Sequence, residues 1–226
     1  MNTLASYTIP DAGKSVLLTI DVQKDFTEAD GTSPIPGTKS CTRAMKQILE
    51  AYRRNNLPIV HVIRLYKTDG TNADLCRRAS IESGKRIVEP NSSGAELVEE
   101  FKLAANLRMD AHALLAGEIQ QIGEREWLMY KPRWDAFHNT PLEEHLRSLK
   151  VTTVVIVGCN FPNCPRSTAY GASMRDFRVA LVRDAISGIY ERGLQELMNI
   201  AVETPTVEEW IRELDGASSS IAAQHS

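Results

Sequence analysis

"TTVVIVGCNFPNCPRSTAYGASM", residues 152–174, holds the local signals that decide the fold of this chain. Its first seven residues form an apolar, β-branched run that is typical of a buried strand. Proline is favoured in the first turn of a helix, so Pro165 predicts that Cys164 is the N-cap of a helix through residues 166–174. A buried strand thus leads through a short turn into a helix.

The same alternation of strand and helix extends over most of the chain. Further strand-like runs cover residues 15–22, 58–63, 126–130 and 178–184. Amphipathic stretches lie between them, as in residues 41–55, where Ala44, Ile48, Leu49 and Tyr52 follow helical spacing. This order predicts an α/β fold in which right-handed crossovers build a mainly parallel sheet with helices on both faces.

The interval 64–125 interrupts this pattern because it contains no clear strand. Helical patterns around residues 95–101 and 109–123 predict a helical, lid-like insert within one domain that spans residues 1–226. The core of that domain is expected over about residues 15–214. The small, polar tail 215–226 is expected to be flexible or to pack on a neighbouring subunit.

Composition narrows the possible functions. The 226 residues are 42% hydrophobic and 24% charged, as in globular proteins, and the formal net charge is −3. This balance gives no reason to expect nucleic acid or an anionic membrane as a partner. The first residues are not basic, and no apolar run approaches the roughly 18 residues that a membrane span requires. We expect a cytoplasmic protein that acts on a small molecule.

The cysteines of residues 152–174 could form a metal clip, a disulfide or a nucleophile. The chain has four cysteines: Cys41, Cys76, Cys159 and Cys164. Without a secretion signal, reduced thiols are expected. A zinc site would need a second Cys or His pair near Cys159 and Cys164, and none is present. Asp110 and His112 are two apart in a helical pattern, so they point to different sides, and no metal is expected.

Three reactive side chains follow strands. Asp21 lies near the end of the run 15–22, Lys131 follows residues 126–130, and Cys164 comes after the run that ends at Gly158. Ligands of open α/β sheets bind at the carboxyl ends of the strands. Singly, these residues could be a cap, a solvated cation and a small buried hydrophobe. Together they match a nucleophile with its activating groups.

The two neighbouring cysteines are expected to differ. At a helix N-terminus the dipole lowers a thiol pKa, which predicts a thiolate at Cys164. The backbone N–H of Cys164 would also be free to donate to an oxyanion. Cys159 lies at the strand end and is expected to be a buried structural thiol.

Three motifs carry a resemblance to a known family. These are LLTIDVQKDF (17–26), MYKPRWDAFHNTPLEEHL (129–146) and VVIVGCNFPNCPRSTAYGASMRDFRVALVRDAISG (154–188). In order and type they resemble the isochorismatase-like cysteine hydrolases, which include nicotinamidases and carbamoylsarcosine amidohydrolases. The resemblance covers about Ser15 to Leu214. It implies a three-layer α/β/α Rossmann-like fold with a six-stranded, mainly parallel sheet.

The resemblance also implies roles for individual residues. Asp21 would be the general base, Lys131 the stabilising cation and Cys164 the nucleophile that forms a thioester with an amide substrate. A cis peptide bond between Cys159 and Asn160 would place the N–H of Asn160 beside that of Cys164 in an oxyanion hole. The reaction would use water and require no metal or organic cofactor. Relatives are usually oligomers, so a homodimer or homotetramer is expected.

Departures from the family pattern bear on the substrate. Residues 61–76, HVIRLYKTDGTNADLC, lack the ligands with which nicotinamidases bind a metal. The family's common Ala-Thr is replaced by Asn160 and Phe161. True isochorismatases lack the cysteine, so Cys164 favours C–N cleavage over vinyl-ether hydrolysis. GCNFPNCPR is also similar to a subgroup that includes streptothricin hydrolases, which open a cyclic amide.

Some assignments stay open at this stage. Phe26, Trp134, Phe161 and Tyr190 either line an apolar substrate pocket or belong to the core. Gln23 either orients the triad or caps a turn. Besides the amidohydrolase, a vinyl-ether hydrolase and a catalytically inactive binding subunit remain alternative functions.

Overall fold

A computed structural model describes residues 7–224 of the chain. Its sheet contains the strands β1 (Ser15–Ile20), β2 (Ile59–Ile63), β3 (Ile119–Gly123), β4 (Glu126–Tyr130), β5 (Thr153–Gly158) and β6 (Arg178–Ile186). Their spatial order is β3-β4-β2-β1-β5-β6, and only β3 runs antiparallel to its neighbour. The predicted six-stranded, mainly parallel sheet is therefore confirmed.

Helices cover both faces of this sheet. They are α1 (Lys24–Thr27), α2 (Thr38–Arg54), α3 (Leu75–Glu82), α4 (Ala111–Leu115), α5 (Leu142–Ser148), α6 (Cys164–Ser173), α7 (Glu191–Met198) and α8 (Val207–Gln224). Side chains alternate along β1, so Leu17 packs in the apolar cluster that contains residues of α2 and α8, whereas Leu18 packs in the cluster that contains residues of α5, α6 and α7. The three-layer architecture follows from this alternation. No helix of the described chain is long and apolar enough to cross a membrane.

The insert 64–125 differs from its prediction in two places. The pattern around residues 95–101 forms the short 3₁₀ turns Ser93–Ala95 and Glu99–Phe101 instead of an α-helix. Within 109–123, α4 ends after five residues, and Gly117, with φ of 92°, reverses the chain into the edge strand β3. The pairing of β3 with β4 overrode the helical pattern, because an antiparallel neighbour can satisfy the edge of a parallel sheet.

The C-terminal tail extends the last helix. Helix α8 continues as far as Gln224, so most of the segment 215–226 is helical. Residues 225 and 226 lie outside the described part of the chain.

A buried polar cluster connects three strands and α2. His61 of β2 lies between Thr19 of β1 and Glu126 of β4, with 2.7 Å from Nδ1 to Thr19 Oγ1 and 2.7 Å from Nε2 to Glu126 Oε1. Arg53 of α2 donates to both Glu126 oxygens, at 3.0 and 2.7 Å. Burial by itself raises the pKa of the Glu126 carboxyl, but the hydrogen bonds from His61 and Arg53 outweigh it and lower that pKa to about 2.

The cluster predicts a pH-dependent stability. Since the pKa of Glu126 is lower in the folded than in the unfolded chain, its contribution is present above the unfolded value and is lost as pH falls toward about 2. Glu126→Gln is expected to lower the free energy of unfolding by about 3 kcal/mol at neutral pH, a difference that shrinks in acid. Urea unfolding of both proteins over a pH series measures it. A difference that stays constant with pH would contradict this assignment.

Candidate active site

The structure brings the three strand-end residues into contact. Asp21 follows β1, Lys131 follows β4, and Cys164 begins α6 beyond the end of β5. Lys131 Nζ donates to Asp21 Oδ2 over 2.8 Å and lies 3.3 Å from Cys164 Sγ. All three are buried, with Lys131 0% exposed and Cys164 8% exposed. A buried ammonium needs partners, and here it has a carboxylate and a thiol.

Local backbone geometry holds Asp21 at the end of β1. Asp21 has φ of 55°, in the left-handed region that Asp tolerates better than most residues. Its N–H donates to Val62 O over 2.9 Å, which extends the pairing of β1 with β2 by one residue. Its carbonyl oxygen accepts from Cys159 Sγ at 3.1 Å.

Cys159 has the structural position predicted for it. It is 1% exposed, and burial raises its pKa well above the usual value. A thiol in this state is neutral and unreactive. Its contact with the Asp21 backbone connects the end of β5 to the end of β1.

The start of α6 differs from the prediction. Asn163, not Cys164, is the N-cap, so Cys164 is the first helical residue and Pro165 the second. The predicted lowering of the Cys164 pKa is also wrong. Burial, and then the charge of Asp21, raise the pKa of Cys164 to about 11, although Lys131 and Arg64 act in the opposite direction. The resting form is therefore a neutral thiol.

The turn between β5 and α6 carries two free backbone donors. The Cys159–Asn160 peptide bond is cis. Phe161 N–H donates to Ser187 O over 2.8 Å, and Asn163 N–H donates to Asn160 O over 3.0 Å. Within residues 7–224, neither the N–H of Asn160 nor that of Cys164 has an acceptor. Free donors next to a nucleophile are suited to binding an oxyanion.

A small cavity lies against the triad. Besides Asp21 and Cys164, its wall includes the polar residues Arg64, Arg77, Asn160 and Asn163 and the aromatic residues Phe26, Tyr66 and Trp134. Its free volume is about 20 Å³, enough for about one water molecule. A substrate therefore requires the rim to move, and Trp134, which is 43% exposed, belongs to that rim.

The aromatic residues considered for the pocket separate into two groups. Phe26 and Trp134 line the cavity, whereas Phe161 and Tyr190 do not. Phe161 is fully buried, and its ring packs edge-on against Tyr190 with centroids 5.2 Å apart. The ring of Phe161 therefore belongs to the core under α7 and not to the substrate pocket.

Gln23 supports the site from behind. It is fully buried and outside the cavity wall. Its Nε2 donates to Arg64 O and Ala95 O over 2.8 and 2.7 Å, and its Oε1 accepts from Arg64 N–H over 2.8 Å. Gln23 thus fixes the backbone of Arg64 instead of contacting the triad.

Arg64 is a site residue that sequence reasoning missed. It is 2% exposed, lines the cavity and lies 3.3 Å from Asp74 through Nη2. The hydroxyl of Tyr66 donates to the same Asp74 oxygen over 2.7 Å. Arg64 directly follows β2, so the strand-end criterion that selected Asp21 and Lys131 would also have selected it.

Metal ligands do not cluster in the described chain. Residues 7–224 contain no group of three or more His, Cys, Asp or Glu side chains placed to hold an ion. Asp110 instead caps α4 by accepting from the backbone N–H groups of His112 and Ala113, at 3.1 Å each. This pair lies at the surface, as predicted.

Comparisons with known proteins point to one family. The family model described as "Isochorismatase domain" matches residues 15–208. A protein of Arabidopsis thaliana named as a probable inactive nicotinamidase is 31% identical over 206 residues, which cover 88% of this chain and 96% of the relative. The N-carbamoylsarcosine amidase of an Arthrobacter species is 21% identical over 89% of this chain and 72% of its own length.

Solved structures agree with these sequence matches at the level of the fold. An isochorismatase family protein of Desulfovibrio vulgaris has a TM-score of 0.74 at 24% identity, covering 86% of this chain and 95% of its own. The N-carbamoylsarcosine amidase of Thermoplasma acidophilum has a TM-score of 0.65 at 21% identity, covering 86% and 96%.

Proposed function

The chain belongs to the isochorismatase-like cysteine hydrolase family, and from this premise we propose that it hydrolyses the C–N bond of a small amide, imide or lactam. One observation carries the proposal: Lys131 Nζ contacts both Asp21 Oδ2 and Cys164 Sγ in a buried site. A cation between a carboxylate and a thiol can stabilise the thiolate that forms when the carboxylate accepts the thiol proton.

The mechanism begins from the neutral thiol. Asp21 accepts the Cys164 proton as Sγ attacks the amide carbonyl, and Lys131 stabilises the thiolate during transfer. The N–H groups of Asn160 and Cys164 bind the oxyanion of the tetrahedral intermediate. Asp21 then passes the proton to the leaving nitrogen, the C–N bond breaks, and a thioester remains on Cys164.

The second half of the reaction consumes water. Asp21, again ionised, accepts a proton from a water molecule while the water oxygen attacks the thioester carbonyl. The C–S bond breaks, the proton returns to Sγ, and the acid product leaves. The chain's own groups account for every proton transferred, so the scheme needs no metal or organic cofactor.

Nicotinamide is not the proposed substrate. His61, in the segment where nicotinamidases are expected to bind a metal, is fully buried and is occupied by Thr19 and Glu126. The Arabidopsis relative is named as a probable inactive nicotinamidase, and that name concerns that protein and that one activity. In this chain Asp21, Lys131 and Cys164 are all present and in contact, which supports hydrolysis of a different amide.

Mass spectrometry tests the nucleophile. In a panel of primary amides, imides and lactams, acid quenching during turnover is expected to trap an acyl group on Cys164. Cys164→Ala should lower turnover by about 10³-fold or more, because the covalent route is lost. Cys41→Ala, in α2 and outside the cavity wall, is the matched control and should keep full activity. Full turnover by the Cys164→Ala protein would overturn the scheme.

A further inference from the structure

The cavity at Cys164 has an excess of one positive charge. Asp21 pairs with Lys131 at 2.8 Å, and Asp74 pairs with Arg64 at 3.3 Å. Arg77 also lines the cavity, and among the side chains that the structure describes, residues 7–217, no carboxylate forms an ion pair with it. An unpaired guanidinium in the wall of a small cavity attracts an anion.

Arg77 is held toward the cavity by its surroundings. It lies on α3, three residues after the helix N-cap Asp74, and is half-buried. Its guanidinium carbon lies 6.0 Å from the centroid of the Phe26 ring, which is another wall residue. Packing of the guanidinium over an aromatic face orients it and leaves its N–H donors available.

We propose that the substrate is a small amide that also carries a carboxylate, and that Arg77 binds this carboxylate while the amide carbonyl lies at Cys164. The inference rests on the proposed function and names its substrate class. Arg64 already pairs with Asp74 and lies over the ring of Tyr66, 5.5 Å from its centroid, so Arg77 is the available cation. A guanidinium can bind a carboxylate through two parallel hydrogen bonds.

Charge and size both favour a carboxylate over a phosphate. One unpaired guanidinium balances the single charge of a carboxylate, whereas a phosphate ester brings about two negative charges at neutral pH. The cavity is also small, at about 20 Å³ before the rim moves, so a compact anion fits it better. The cavity wall also includes the apolar side chains of Phe26, Ile35 and Trp134, which suit a short apolar connection between the amide and the carboxylate.

Matched substrates test the proposal by ammonia release. Malonamate, succinamate and glutaramate are compared with propionamide, butyramide and valeramide, in which a methyl group replaces the carboxylate. At least one acidic amide is expected to exceed its neutral partner in kcat/KM by about 10- to 100-fold, the range of a charged hydrogen bond. Arg77→Gln should abolish this preference, mainly by raising KM, and Arg77→Lys should retain part of it.

Arg78→Gln is the matched control. Arg78 is the next residue of α3, is also half-buried and does not line the cavity. Its substitution should leave the preference for the acidic amide unchanged. The substrate class is wrong, and the amidase function stands, in either of two cases. In the first, Arg77→Gln and Arg78→Gln change the preference for the acidic amide equally. In the second, the neutral amides are hydrolysed with the same kcat/KM as the acidic ones.

A second readout does not depend on turnover. The acidic amide is expected to slow the alkylation of Cys164 by iodoacetamide, followed by mass spectrometry, in the natural protein but not in Arg77→Gln. Arg77-dependent protection without hydrolysis of any amide would support the anion site and contradict the amidase function. If the acidic amides neither protect Cys164 from alkylation nor are hydrolysed in preference to the neutral amides, the inference is overturned.

Discussion

Asp21→Asn is expected to lower turnover by about 10²- to 10⁴-fold, the range for loss of a general base. The same substitution should accelerate alkylation of Cys164 at neutral pH. Asp21 raises the pKa of Cys164 through its charge and through a hydrogen bond with the thiol. Asparagine removes the charge, and Lys131, 3.3 Å from Sγ, then stabilises the thiolate without a competing carboxylate.

The pH dependence of alkylation separates this explanation from damage to the fold. With a pKa of about 11, the Cys164 thiol of the natural protein should react with iodoacetamide about tenfold faster for each pH unit through the neutral range. In Asp21→Asn this rise should lie at lower pH. A misfolded variant would instead also expose the buried Cys159 to alkylation, which peptide mapping detects.

Asp30→Asn is the control for this experiment. Asp30 is an exposed carboxylate outside the cavity wall, so its loss should change neither turnover nor the alkylation profile. Unchanged turnover in Asp21→Asn would remove Asp21 from the proposed mechanism. Slower alkylation of that variant would mean that Asp21 promotes formation of the thiolate at rest, contrary to the direction found here.

Gly158→Ala is expected to have the largest effect on stability, a loss of roughly 4 kcal/mol or more in the free energy of unfolding. Gly158 ends β5 with φ of 121°, a region that other residues rarely adopt. A Cβ at this position would lie 2.2 Å from Ile20 O and 2.6 Å from Ile20 N. Both atoms are backbone atoms of β1, so no side chain can move aside.

Gly84→Ala separates the cost of backbone strain from the cost of the steric clash. Gly84 has φ of 101°, but no atom lies within 4 Å of a Cβ built there. Its substitution should cost only the backbone strain, about 1–3 kcal/mol. Denaturant unfolding of both variants measures the difference, and equal losses would show that the close approach of β5 to β1 does not matter. Since Cys159 follows Gly158, the Gly158→Ala protein should also lose activity.

Much of the fold could be predicted because it depends on local patterns. Buried β-branched runs define five strands, and the strand-end rule placed Asp21, Lys131 and Cys164 at one edge of the sheet. The sixth strand, β3, was missed. Its sequence has a helical pattern, and its strand conformation results from pairing with β4, which a local pattern does not contain.

The protonation state of Cys164 required the tertiary structure. The sequence by itself determined that a thiol lies at the start of a helix, and from that position a lowered pKa was expected. Burial and the neighbouring Asp21 raise the pKa instead, because the loss of water around a charge outweighs a helix dipole. These distances are set by residues far apart in the chain.

The sequence alone thus determined which three groups could do the chemistry, because strand ends and turn residues are encoded locally. Only the tertiary structure decided what surrounds them. In the folded chain Arg64 and Arg77 lie in the cavity wall, Gln23 binds the backbone of Arg64, and Phe161 packs in the core against Tyr190. Packing between distant segments sets the burial and charge of a site, and those quantities decide which proton moves and which substrate fits.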